Sequence, residues 1–312
     1  MRKPWRGSAL LSLALALAFP ATAHAQSLSE ITRSVTDGAQ IEAAVARSTT
    51  PQRADDDDQA VDGEAGIYVL RRADIFYVGG EAGVSYSTNP LRTVDDVGGS
   101  GAAEASMDIG LQTLIAEKVN LAAALSFSGT RYFKDFAPSN TLASGNVSLG
   151  TGLGKSPLHI GISAFGGWNF DRKVRSGTGF YGASAHLGAV LPLDQRTVFQ
   201  PLIVASRVKN EVGENDSKSV GLRATLARRM GKLTVSANGV VSRFWFDDFY
   251  EDVTFVPRRD WQYEGGVAVS YAVSPRLTVA ASARYVKRDS SFFLSNFASV
   301  DSGLGLAVNW RF

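Results

Sequence analysis

Most of this chain alternates apolar residues with polar or small residues at every second position. In one such segment, Leu158, Ile160 and Ile162 share one face of an extended strand, and His159 and Gly161 lie on the other. A period of two is typical of β-strands whose two faces meet different surroundings. The alternation predicts twelve strands, at residues 73–88, 102–115, 118–133, 142–154, 157–171, 178–191, 196–209, 217–229, 231–246, 260–273, 275–288 and 298–312.

The connections between these segments alternate between short and long. Tight turns such as 117–118 and 154–157 alternate with longer connections such as 89–101 and 247–259. An even number of strands, with short turns at one end and long loops at the other, is the layout of bacterial outer-membrane barrels. We therefore predict an all-β fold, a transmembrane antiparallel up-and-down β-barrel of about 12 strands at residues 73–312, with a short N-terminal periplasmic extension. The apolar face of each strand would meet lipid and the polar face would line the lumen.

The first residues have the features of an export signal. Arg2, Lys3 and Arg6 precede an apolar stretch, and Ala23-His24-Ala25 forms a small-x-small cleavage site. This combination is typical of a secretory signal peptide that is removed from the mature protein. We therefore predict a cleaved signal peptide at residues 1–25 and placement in the cell outer membrane.

The predicted periplasmic extension covers residues 26–72 and contains an acidic run at Asp55–Asp58. Residues 26–48 have the pattern of a short helix, and the charge run at 49–64 is typical of a solvated linker, so we expect the extension to be helical or disordered. Residues 26–64 have two interpretations. Part of this segment enters or caps the periplasmic mouth of the barrel, or the segment is a disordered tether.

Charge and composition narrow the possible functions. Without the predicted signal the chain has 29 basic and 30 acidic residues, a net charge of −1, which gives no bulk case for a nucleic-acid partner. The sequence has no cysteine, so an exported chain cannot be stabilised by disulfides. No run of eighteen apolar residues follows residue 25, so no membrane-spanning helix is predicted.

The last residues, LGLAVNWRF, continue the alternation to the final position. Trp310 and Phe312 lie on the predicted lipid face. This ending resembles the C-terminal signal by which outer-membrane barrels are recognised by their assembly machinery. The resemblance implies that the barrel-assembly machinery is a partner of this chain.

The first predicted strand and the loop after it read YVGGEAGVSYSTNPLRTVDD. The glycine-rich strand, the corner at Tyr86–Asn89 and the acidic loop resemble the opening of sparsely characterised β-barrel porin families. The resemblance implies a porin-like barrel, and some members of such families are associated with export of envelope polysaccharide.

Charged or titratable side chains at inward positions are candidates for lining the lumen. The acidic ones lie mostly on the first two predicted strands, and the closing strands carry most of the basic ones. They have two interpretations, a transverse electric field along a solute path or internal salt bridges that brace a narrow barrel. The pore-lining candidates are Glu81, Glu104, Asp108, His159, His186, Arg223, Glu264, Arg284 and Arg311, and the same parity places Asp301 in the lumen.

Basic residues in the long loops are candidates for a rim that pairs with lipopolysaccharide phosphates, because phosphate groups favour Arg and Lys. The alternative is ordinary solvated loop charge. The rim candidates are Arg172, Lys173, Arg175, Arg258, Arg259, Lys287 and Arg288.

The alternation leaves two segments open. Strict alternation across 231–246 points Arg243 outward, whereas a bulge near Val240–Val241 would turn it inward and place Phe244 and Phe246 on lipid. In 196–209 either face could be outward, because Pro201 and Arg207 share a parity.

The sequence gives little support for catalysis. The predicted mature chain has two histidines, His159 and His186, and neither lies in a motif that supplies the remaining members of a catalytic triad. No cluster has metal-ligand spacing. We therefore predict a non-enzymatic barrel without a cofactor or metal.

Two functions fit these observations. The first is a porin-like channel for small or acidic solutes, including saccharides. The inward face of the fourth to sixth predicted strands favours it, because residues such as Ser148, Gly150, Ser163 and Ser184 leave room inside the barrel. The second is a non-conducting accessory or structural barrel for envelope assembly or polysaccharide export.

Overall fold

The computed structural model describes residues 76–92, 94, 98–116, 119–135, 139–153, 156–171, 177–194, 196–211, 216–247, 257–274, 276–292 and 295–311. The predicted signal peptide, the predicted extension and Phe312 lie outside these residues. No helix among the described residues is long and apolar enough to span a membrane.

The described residues form one antiparallel sheet that closes into a barrel, which confirms the predicted fold class. Twelve long strands build the wall, and a two-residue strand, β7, pairs with the start of β8 in a turn. The strands are β1 Phe76–Ser87, β2 Ser100–Ala116, β3 Val119–Tyr132, β4 Asn140–Gly152, β5 Leu158–Asp171, β6 Gly177–Ala189, β7 Leu191–Pro192, β8 Thr197–Asn210, β9 Ser217–Met230, β10 Leu233–Phe246, β11 Arg259–Ser274, β12 Leu277–Ser290 and β13 Phe297–Arg311.

Each long strand pairs with its neighbours in the chain, and two further pairings complete the circle. β6 pairs with β8, and β1 pairs with β13 over the stretch from Tyr77↔Arg311 to Ser87↔Asp301. Closure pairs the first strand with the last, so the sheet has no free edge, as a lipid-facing sheet requires.

The short turns lie at the end of the barrel that holds the start of β1 and the end of β13. One of them, Gly231–Lys232, joins the paired residues Met230 and Leu233. Gly231 has a φ of 65°, and a two-residue hairpin favours this left-handed conformation because it matches the strand twist. In an outer-membrane barrel the short turns are periplasmic, so the long loops mark the extracellular end.

The outer surface of the barrel is apolar. Large side chains such as Ile162, Val267 and Leu304 are more than half exposed on it. In water such a surface would be costly, whereas against lipid tails it is required. Trp310 is also outward, 42% exposed, and its position pairs with Val78.

The structure settles both segments that the sequence left open. The register of β10 against β9 and β11 is continuous, so Arg243 is outward and Phe244 and Phe246 are buried inside. In β8, Leu202 and Val208 are buried inside, which places Pro201 and Arg207 outward. The register shifts between paired strands instead occur at Leu114/Ala116 and Ala272/Ser274.

Candidate functional site: the charged lumen

Three carboxylates form an acidic wall on β1 and β2. Glu81 is opposite Ser106, and Glu104 and Asp108 flank that serine on the same strand, so the three share one inward patch. Serine hydroxyls donate to two of them, Ser85 to Glu104 and Ser126 to Asp108. Glu81 and Glu104 are exposed although they point into a closed barrel, so water-accessible space borders this wall.

A second inward cluster lies in the extracellular half of β11–β13. At its core, Asp260 is fully buried and accepts hydrogen bonds from Arg258 Nε at 2.9 and 3.0 Å. Arg288 Nε lies 3.8 Å from Asp260 Oδ2, and Arg288 Nη2 donates to Gln262 Oε1 at 2.6 Å. Arg258 and Arg288 are 6% and 1% exposed, so both guanidinium groups are held away from solvent by one carboxylate and one amide.

The cluster continues through Gln262 towards the acidic wall. Gln262 Nε2 donates to Glu264, whose Oε2 is 3.7 Å from Arg284 Nη1. Arg284 Nη2 in turn donates to Asp301 Oδ2 at 3.1 Å. Arg92, in the loop after β1, reaches the same carboxylate oxygen at 3.1 Å. We call Arg92, Arg258, Asp260, Gln262, Glu264, Arg284, Arg288 and Asp301 the arginine network.

Aromatic rings support the guanidinium groups of this network. Arg258 lies 4.3 Å above the Phe246 ring, and Arg288 lies 5.3 Å from the centre of Phe297. Arg92 also stacks on Phe297, at 5.5 Å. A ring face attracts a cation, and the attraction is stronger when water is excluded. The rings therefore help to hold several arginines close together inside the barrel.

The inward wall of β4–β9 is different in character. Five serines form one cross-strand row, in which Ser163 and Ser184 share a hydrogen bond at 2.6 Å and Ser206 and Ser219 share one at 2.7 Å. On its extracellular side lies a buried apolar cluster. The serine row comprises Ser148, Ser163, Ser184, Ser206 and Ser219, and the apolar cluster comprises Leu142, Phe165, Phe180 and Val208 with Val204 packed against it.

Arg223 faces inward near the middle of β9. β9 is six strands away from β2 in either direction around the barrel, which puts Arg223 on the wall opposite Glu104 and Asp108. The lumen thus has acidic groups on one side and a cation on the other. Both arrangements are thus present among the inward residues: acidic groups opposite a cation, and the contacts of Arg284 with Glu264 and Asp301.

His159 and His186 lie on neighbouring inward positions of β5 and β6. Both are 4% exposed, and their ring centroids are 5.7 Å apart. The two imidazole rings are therefore neighbours inside the barrel. Within the described part of the chain, no group of three or more metal-ligating side chains is gathered at one point.

Two of the predicted rim residues are placed differently by the structure. Arg258 and Arg288 belong to the buried arginine network and do not ring the outside of the barrel. The reason is strand parity: Arg288 occupies an inward position of β12, and Arg258 directly precedes β11 and shares the inward parity of Asp260. Arg259 and Lys287, their sequence neighbours, are exposed on the outer face.

Some predicted site residues lie outside what the structure describes. Arg172, Lys173 and Arg175 fall in an undescribed loop, as does the terminal Phe312. For Arg311 the structure gives the backbone position, paired with Tyr77.

Sequence reasoning missed two groups of inward residues. Arg92 lies in the acidic loop after the first strand, and no local signal in the sequence indicates that its side chain reaches Asp301 on β13. Phe165 and Phe180 break the expected run of small inward residues. Strict alternation through 157–171 and 178–191 would have identified both as inward.

The closed twelve-strand wall, apolar outside and charged inside, defines the fold of an outer-membrane β-barrel. No family model matches the chain, and no curated protein matches it. Among solved structures, an outer membrane channel from Pseudomonas putida F1 is similar, with 9% identity and a TM-score of 0.54, over 82% of this chain and 100% of that chain.

Two further solved structures are similar over their full lengths. LpxR from Salmonella typhimurium has 10% identity and a TM-score of 0.44, over 72% of this chain and 99% of that chain. The NanC porin has 10% identity and a TM-score of 0.43, over 74% of this chain and 98% of that chain. Likeness at these identities concerns the fold alone.

Proposed function

We propose that this protein is a channel of the outer membrane through which small solutes pass along the charged lumen. The observation that supports it most is the exposure of Glu81 and Glu104. An ionised carboxylate inside a closed barrel needs water or a cation beside it, because burial of an unpaired charge is costly. Exposed inward carboxylates therefore favour a water-filled path next to β1 and β2.

The charges suggest which solutes pass most easily. Arg258 and Arg288 are buried and held by Asp260 and Gln262, whereas Glu81 and Glu104 face the accessible space. Among these four groups the exposed charge is acidic, while Arg223 on the opposite wall and Arg284 are partly exposed cations. We propose a preference for neutral or cationic solutes over the acidic solutes suggested by the sequence, and hydroxyl-rich saccharides fit because carboxylates and serines can hydrogen-bond to their hydroxyl groups.

One observation favours the alternative, a non-conducting accessory barrel. The extracellular half of the lumen is packed with buried side chains, the arginine network on one wall and Leu142, Phe165, Phe180 and Val208 on the other. A barrel of this size lies between filled small barrels and open porins. A narrow constriction and a complete closure both agree with this packing, and they differ in conductance.

Conductance in planar lipid bilayers separates the two functions. We expect the purified full-length protein to give discrete current steps, with a reversal potential in a salt gradient that indicates cation preference. The variant Glu81→Gln/Glu104→Gln should lose most of that preference, because it removes the exposed luminal charge. Asp289→Asn, which removes an outward carboxylate, is the control and should leave selectivity unchanged. Silent membranes would support the accessory barrel instead.

The same measurement tests the predicted role of residues 26–64. A chain without this segment should conduct more than the full-length protein if the segment enters the lumen. Equal currents, together with immediate tryptic removal of the segment from intact barrels, would support the tether.

A further inference from the structure

Charged side chains on the described outer surface of the barrel are concentrated on one half of its circumference. Along the described outward positions of β1–β6, Arg131 is the one charged residue. The strands β8–β12 carry six outward basic residues near their extracellular ends. We call these six the cationic belt: Arg207, Lys209, Lys218, Arg243, Arg259 and Lys287.

The members of the cationic belt are neighbours across the strands. One row runs from Arg207 to Lys218 to Trp245 to Arg259, each residue paired with the next across β8, β9, β10 and β11. The adjacent row pairs Arg243 with Trp261. The belt is therefore a continuous surface and not a set of scattered loop charges.

The acidic groups near the belt pair with some of its cations but do not neutralise all six: Lys287 donates to Asp289 at 3.0 Å. Asp247, in the loop after β10, accepts from Lys218 at 2.8 Å and from Arg207 at 3.1 Å, and lies 3.9 Å from Lys209. One carboxylate is thus shared by three cations, and Asp216 takes a second contact from Lys209. The side chains of Arg207 and Lys218 remain 54% and 51% exposed, so they still offer donors outward.

Aromatic rings fix the depth of the belt in the membrane. The Arg243 guanidinium lies 5.0 Å from the centre of the Trp261 ring, and Trp261 stacks with Tyr263 at 6.3 Å. Trp245, Trp261 and Tyr263 are 37–40% exposed on the same surface. Tryptophan and tyrosine collect at the membrane–water interface, where lipid headgroups lie.

We propose that the cationic belt binds the phosphate groups of lipopolysaccharide in the outer leaflet. The belt lies at the long-loop end, which faces that leaflet in an outer-membrane barrel. Cations on a lipid-facing surface need anionic partners, and arginine and lysine form charge-assisted hydrogen bonds with phosphate oxygens. The headgroup phosphates of lipid A supply these at the depth of the aromatic rings. The site is independent of the proposed channel, because it lies on the opposite side of the wall.

Binding of purified lipid A, followed by native mass spectrometry of the full-length barrel in detergent, tests the site. We expect bisphosphorylated lipid A to bind at least about tenfold more tightly than lipid A without phosphates, a factor that added salt should reduce, because charge pairing is screened. The double variant Arg207→Gln/Lys218→Gln should lose most of the difference between the two lipids.

A matched control removes equal charge from elsewhere on the outer surface. The control variant is Arg131→Gln/Arg228→Gln. Arg131 lies on the nearly uncharged half of the outer surface, and Arg228 points outward at the periplasmic end of β9. The combined control variant should bind bisphosphorylated lipid A as the unmodified protein does. Heat-modifiable migration on gels establishes that each variant is folded.

Several outcomes would overturn the proposal. Equal binding of the two lipids by the unmodified protein would overturn it. This comparison needs no variant, so it remains valid even if a belt variant fails to fold. Equal losses in the belt variant and the matched control would mean general attraction by surface charge. A change in oligomeric mass without a change in lipid binding would mean that the belt is an interface between copies of this chain.

Discussion

Two pairs of adjacent residues show that a positive charge has different surroundings on the two sides of the barrel wall. Arg258 and Arg288 point inward and are almost completely buried, each against a carboxylate or amide and an aromatic ring. Arg259 and Lys287, one residue away, point outward and are exposed. Chemically similar side chains are thus buried among fixed partners on one face and exposed on the other, because strand parity decides their surroundings.

The difference predicts opposite responses to the same kind of substitution. Inside, each charge depends on a small number of fixed partners, so removal of one leaves the others buried and unpaired. Outside, solvent and lipid headgroups can replace a lost partner. The following measurements compare the faces directly, by equilibrium unfolding in urea in detergent micelles.

The largest expected effect is that of Asp260→Asn. Asp260 is the buried carboxylate between Arg258 and Arg288, and it also accepts from Ser290. Without its charge, two buried guanidinium groups face each other, which should lower the free energy of unfolding by about 3–5 kcal/mol. Asp289→Asn is the outward control, since Asp289 is 48% exposed and pairs with Lys287, and its effect should stay below about 1 kcal/mol. Equal effects would contradict the contrast between the two faces.

A smaller effect is expected when arginine and lysine are exchanged at adjacent positions. Arg288→Lys keeps the charge but loses the planar group that donates through both Nε and Nη2 to Gln262. Lysine cannot reproduce this geometry, so a loss of about 1–3 kcal/mol is expected. Lys287→Arg, on the outer face, keeps an exposed charge and should leave the free energy of unfolding nearly unchanged. The effect of each substitution is measured from the midpoint of urea unfolding at constant slope. A larger loss of unfolding free energy in Lys287→Arg than in Arg288→Lys would contradict the assignment of the two faces.

The smallest effect concerns Asp247, next to the cationic belt. The hydrogen bond from Lys218, with the nearby charges of Arg207 and Lys209, holds the pKa of the Asp247 carboxyl below its usual range. A depressed pKa in the folded state stabilises the protein above the pKa of the unfolded state, and this stability is lost as the pH falls through the folded-state pKa. At neutral pH the free energy of unfolding of the unmodified protein should therefore exceed that of Asp247→Asn by at most about 1 kcal/mol. This difference should vanish on acidification. A difference that grows at low pH would contradict the assigned contacts.

Local pattern was sufficient for the wall of the barrel. Alternation with a period of two, short turns alternating with long loops and an even strand count led to the twelve long strands and to the closed fold. The reason is physical: lipid on one side and a polar lumen on the other impose a different residue type at every second position. This alternation alone predicts the inward positions of Glu81, Glu104 and Asp108.

The sequence by itself therefore determined which class of barrel this is and which face most residues occupy. The tertiary structure decided which charges meet. Arg92 and Asp301 are far apart in the chain, and their contact depends on the closure of β1 against β13 and on a loop that folds inward. Arg258 and Arg288 join Asp260 only because β11 and β12 extend in register towards the loops. Periodicity encodes a face locally, whereas a partner across strands depends on register and closure, which many distant residues set together.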